Sequence, residues 1–141
     1  MIGDELVQAS LITKIKSLSA ITSLLTDANE VRELQWQGDT FTYPNIRLDL
    51  ESNDWVFDEQ ERCQLQYCEF SIYVFTEDRS SKKCSQIKST ILTAMSGLGF
   101  SNATYGVKFS RLRLIDNVPA VRESERIWRS QVKFGSRIGS P

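Results

Sequence analysis

The sequence predicts an α+β fold: one antiparallel sheet of about five strands with two main helices on one face, in the order α-β-β-β-α-β-β. Three observations lead there. Stretches 4–18 and 80–98 repeat apolar residues at helical spacing, while 45–50, 64–76 and 126–134 alternate or cluster them as strands do. Two amphipathic helices cannot leave their stripes in water, so both must lie on the sheet. At 141 residues the chain is sized for one domain, 1–141.

The first helix, 4–18, places Val7, Leu11, Ile15 and Leu18 on one stripe, widened by Leu6 and Ile12. Asp4 and Glu5 sit in its first turn, where negative charge suits the helix dipole. A short helical turn over Ala20–Leu25 follows, then a loop through Asn29. Val31–Gln37 reads as a strand ended by the turn pair Gly38-Asp39. From Asn45 the alternation is regular: Ile46, Leu48 and Leu50 face one way, Arg47, Asp49 and Glu51 the other.

Residues 51–62 break that pattern with five acids ahead of Arg62. Two readings stand side by side: a solvated loop or hairpin, or an arm that orders against a neighbouring molecule. In the second, Trp55 and Phe57 are anchors and Asp54, Asp58, Glu59 and Glu61 supply the charge, since exposed aromatics are costly without a partner. Leu65–Thr76 is apolar on both faces, as a central strand is. Ser80 or Ser81 caps the second helix, whose stripe is Cys84, Ile87, Ile91, Met95 and Leu98, and Gly97 and Gly99 end it. That stripe marks Cys84 as a core residue. After a loop at 101–106, Val107–Asp116 is a strand, Asn117–Ser124 a polar connection, and 126–134 the last strand, with Trp128, Val132 and Phe134 inward. The tail, 135–141, is expected to fray.

Composition narrows function. With no histidine, the Ser-His-Asp and Cys-His arrangements and imidazole-dependent zinc sites are excluded. Cys63, Cys68 and Cys84 do not have zinc-ribbon spacing. An odd cysteine count, with an opening Met1–Glu5 unlike a secretory signal, points to reduced thiols in a cytoplasm-like compartment. No run approaches the ~18 apolar residues of a membrane span. Neither a phosphate-binding glycine loop nor a G-x-S-x-G elbow occurs, and the nearest carboxylate pair on a regular element, Asp49 and Glu51, is ordinary strand spacing. Neither an enzyme nor a cofactor is expected.

Charge is polarised along the chain. Residues 1–62 carry twelve acids against five bases, net −7, while 63–141 carry six against twelve, net +6. The halves either pair within one molecule or offer complementary patches between copies. Alternation gathers Arg47, Arg111, Arg113, Arg129 and Lys133 into a basic sheet face, set away from the helices. With Trp36, Tyr43, Tyr67 or Tyr73 nearby, such a face also suits a module for single-stranded nucleic acid, though a pI near 5.5 argues against a free-standing one.

Several segments together resemble the tail-terminator, or tail-completion, proteins of long-tailed bacteriophages. They are the opening helix Leu6–Leu18 with its continuation Ala20–Leu25, the stretch Tyr43-Pro44-Asn45-Ile46-Arg47-Leu48, the strand Leu65–Thr76 running into the helix Ser80–Leu98, and the closing Arg126–Phe134. The likeness is one of order and spacing across about residues 4–138. It implies a non-enzymatic virion protein at the tail–neck junction, assembled in the host cytoplasm. Such proteins form a ring, typically a hexamer, that caps the tail tube and receives the neck or connector protein, with DNA only passing through. A head–tail connector of the neck is the alternative role. No catalytic residue is carried over.

Overall fold

The computed structural model describes residues 1–38, 42–57 and 64–141. In chain order it contains α1 (Asp4–Ser17), α2 (Ser19–Thr22), a 3-10 turn (Ala28–Glu30), β1 (Val31–Glu33), β2 (Asn45–Phe57), β3 (Gln64–Glu77), α3 (Lys82–Met95), β4 (Phe100–Asn102), β5 (Val107–Phe109), β6 (Arg113–Ser124) and β7 (Ile127–Gly139). The class is the expected α+β, but the sheet is larger and mixed. Seven strands run in the order β1-β2-β3-β7-β5-β4, with β6 paired to β7 beside β5. All pairs are antiparallel except β1 with β2.

The core forms where the helical stripes meet the inward face of the sheet. Val7, Leu11 and Ile15 of α1 and Cys84, Ile87, Ile91 and Met95 of α3 are fully buried against Ile46, Leu48, Phe70, Ile72, Val74, Val132 and Phe134. Contacts of α1 reach β1 and β2 on one side and β5 on the other, so the sheet curls around it. Gly97, at φ +77°, lets the chain leave α3 in the left-handed region, and its N–H donates to Leu112 O at 2.9 Å.

Five expectations are corrected and one is narrowed. The strand expected over 31–37 stops at Glu33, because the chain turns there (Trp36 N–H to Glu33 O, 3.2 Å) and Trp36 folds back under the Arg32 guanidinium. Residues 51–57 take the hairpin alternative rather than the loop: β2 continues through a bulge at Glu51, between the pairs Leu50↔Phe70 and Ser52↔Glu69. The bulge resets the parity, and the alternation therefore looks broken in sequence. The expected strand 107–116 is two strands, separated where Leu112 N–H bonds Leu98 O at 2.9 Å, so Leu112 is buried while Leu114 is 42% exposed. Phe100–Asn102, placed in or beside a loop, is the short strand β4. The polar connection 117–124 is β6, an edge strand whose Pro119 falls within the register break between Val118 and Val121. The tail does not fray at Gly135: β7 runs to Gly139 between β3 and β5. Trp128 lies on the inward side but is only half-buried at the sheet's end, where its indole N–H donates to Asp78 O at 3.1 Å.

Candidate functional site

The outer face of the sheet, away from α1 and α3, carries the polar residues of β2, β3 and β7. Its central group is ionic. The Lys133 ammonium bridges Glu51 at 2.7 Å and Glu69 at 3.3 Å, Ser71 donates to Glu51, and Gln131 donates to Ser71 at 2.9 Å. Burial works against the Glu51 charge, yet the hydrogen bonds from Lys133 and Ser71 hold its pKa below the ordinary glutamate value. Its hydrogen bonds to Glu51 and Glu69 raise the Lys133 pKa. Asp49, on the same face without such donors, is raised by burial and by the Glu51 charge.

The five basic residues expected to share this face therefore part company. Arg47 is buried: it bonds the Glu30 carboxylate at 3.0 Å and the Glu30 carbonyl at 2.6 Å, so it is no surface residue. The turn Ala28–Glu30 covers that corner of the sheet, which alternation alone does not reveal. Arg129 pairs with Glu123 at 3.2 Å and Lys133 is held as above. Arg111 and Arg113 remain, and the structure adds Arg137, which the expected frayed tail concealed. A cleft of about 580 Å³ brings the three together beside Tyr67.

That cleft is held by backbone rather than by long side chains. Ser110 N–H donates to Arg137 O at 2.9 Å, and the Ser136 hydroxyl donates to Ser110 O at 2.9 Å. Tyr67 crosses β7 at Gly135, where a Cβ would stand 2.0 Å from the phenol oxygen. Only glycine admits the ring in that position, and Arg113 Nη2 donates to its hydroxyl at 3.2 Å. Among the described residues no carboxylate approaches Arg111, Arg113 or Arg137 within 4.0 Å.

The acidic segment is split by the same register. Asp54 pairs across β2–β3 with Tyr67, on the outer face, whereas Trp55 pairs with Gln66 on the helix side and is 36% exposed. Phe57 ends β2, while Asp58, Glu59 and Glu61 lie outside the described residues. Gln66 itself clamps the start of the chain: its side chain accepts from Ile2 N–H at 3.0 Å and donates to Ile2 O at 2.8 Å. Of the cysteines, Cys68 and Cys84 are buried free thiols, and burial pushes Cys68 up to about 12. Cys63 lies outside the described residues. Among the described residues no three His, Cys, Asp or Glu side chains gather as a metal site would need, and no helix is long and apolar enough to cross a membrane.

No protein-family model and no curated protein matches the chain. A solved structure does: a chain from the structure titled "Virion of native gene transfer agent (GTA) particle" superposes with a TM-score of 0.71, over 94% of this chain and 93% of that one. The two share a fold. Identity between them is 15%, so the likeness is in the path of the backbone rather than in particular side chains.

Proposed function

We propose that this chain is a structural virion protein, a tail terminator that closes into a ring, typically of six copies, caps the tail tube and presents the surface on which the neck docks. One observation carries the reading: nearly the whole fold, 94% of the chain, coincides with a chain of a gene transfer agent virion. The order of elements that resembles phage tail-completion proteins supports the finer role. A closed ring needs a heterologous contact, one patch meeting a different patch on the next copy. The −7 and +6 halves of the sequence offer two such patches. On this reading the end of the β2–β3 hairpin is one side of the contact, with Trp55 and Phe57 as aromatic anchors and Asp54, Asp58, Glu59 and Glu61 setting register. DNA passes through the lumen without being held, since tight phosphate contacts would stall its exit.

The test is direct. Purified protein, alone and mixed with a phage-type tail tube protein, is imaged by negative stain. Rings, and tubes that end in them, are expected. Protein that stays monomeric in both settings overturns the proposal, and rings seated on the portal side of the neck would reassign the chain to a head–tail connector.

A further inference from the structure

We propose that the Arg111–Arg113–Arg137 cleft is the receptor for the acidic hairpin end, residues 51–61, of a second copy of this chain. The inference rests on the ring reading above and names the other half of its contact.

Four observations carry it. First, among the described residues the cleft has no carboxylate partner, where its neighbours have one. Arg47, Arg129 and Lys133 each have a carboxylate partner on their own molecule, and among the described residues these three arginines have none. Second, it is preorganised: the Ser110–Arg137 and Ser136–Ser110 hydrogen bonds fix the backbone on both sides, so little order is lost on binding. Third, the complement exists in the sequence: beyond Glu51, which Lys133 already holds, residues 54–61 carry four acids and no base. Guanidinium forks grip carboxylates in pairs, which gives direction as well as attraction. Fourth, the described acid on the same molecule does not reach. Asp54 pairs with Tyr67, which pairs with Arg137, so Asp54 stands two strands from that arginine, about 10 Å at usual strand spacing.

A nucleic-acid backbone fits less well. It needs a basic track longer than one cleft, and the adjoining outer face presents Asp49, Glu51 and Glu69. A hairpin end needs only the cleft.

The experiment uses two full-length variants. Arg111→Glu/Arg137→Glu removes the receptor and keeps the hairpin, while Glu59→Lys/Glu61→Lys does the reverse. Mass photometry, with thermal unfolding as the check on folding, reads assembly; alanine at the same positions replaces any charge reversal that unfolds. Wild type is expected to form rings, each charge-reversed variant alone to stay monomeric, and an equal mixture to assemble again, because an unaltered hairpin meets an unaltered cleft at one contact and the reversed charges complement each other at the next. A cleft variant that assembles like wild type overturns the inference and leaves the ring standing. A mixture that stays monomeric removes the hairpin as the occupant. Wild type that never assembles, alone or on tubes, overturns the ring reading itself. In a parallel gel shift, duplex DNA retained by wild type and released by a cleft variant that still assembles assigns the cleft to phosphate and overturns the inference.

Discussion

At the scale of single residues, three buried or crowded positions make sharp demands. Glu30 and Arg47 form an ion pair whose side chains are 3% and 9% exposed, with Arg32 a further 3.5 Å away. Removing only Arg47, as Arg47→Met, strands most of a buried charge and should cost about 3 kcal/mol, whereas Glu30→Met/Arg47→Met should be much nearer neutral. Denaturant melts of the single and double variants check this. Gly135→Ala pushes the Tyr67 ring off β7, an overpacking cost of about 1–3 kcal/mol that should largely vanish in a Tyr67→Ala background. The thiols set a ceiling in pH. Cys68 titrates at 9.0 when exposed but near 12 when folded, so the unfolded chain loses that proton first and stability should decline as pH rises above about 9. Glu51 works at the other end. Its lowered pKa contributes stability above the ordinary value of 4.5, which is lost as pH falls through the lower folded value. Melting temperature against pH, in wild type, Cys68→Ala and Glu51→Gln, separates the two limbs.

At the scale of elements, protection should follow position in the sheet. β3 is flanked by β2 and β7 along nearly its full length, while β6 has one partner, three register breaks and mostly exposed side chains. Amide exchange should be slowest in β3 and faster in β6, and equal protection would contradict the topology. Ile91→Ala, in the fully buried stripe of α3, should cost about 2–5 kcal/mol; Trp128→Ala, at the half-buried rim, should cost less than Phe134→Ala. The same contrast explains which elements could be read from sequence. The stripes of α1 and α3 and the apolar run of β3 announce themselves because burial chose their residues. β6 buries almost nothing, so no pattern marks it, and the Glu51 bulge shifts the alternation by one residue and makes strand look like loop. Gly135 makes this stretch look like a turn in sequence because Tyr67 needs an absent side chain there, not because the chain bends.

At the scale of the whole molecule, charge is arranged by partition rather than by face. The expected basic face contains two of the three cleft arginines, but Arg47 turned out buried and Arg129 and Lys133 paired, since alternation assigns a side without saying what covers it. If an acidic hairpin and a basic cleft join neighbouring copies, ring formation should weaken steeply between about 50 and 500 mM salt, as exposed charges are screened beyond roughly 10 Å at 0.1 M. Ring populations counted across that range test it, and salt-independent rings would place the joint on apolar surface instead. The β2–β3 ribbon has a consequence of its own. Its strands contain 13 and 14 residues, about 43 Å at 3.3 Å per residue, against a radius of gyration near 14 Å for a chain of this length. One continuous beam thus crosses the body from the Glu30–Arg47 corner to the tip. In the proposed ring, a push at the Phe57–Gln64 end of this ribbon would be delivered as leverage at the Glu30–Arg47 corner, so that load could pass from one copy to the next.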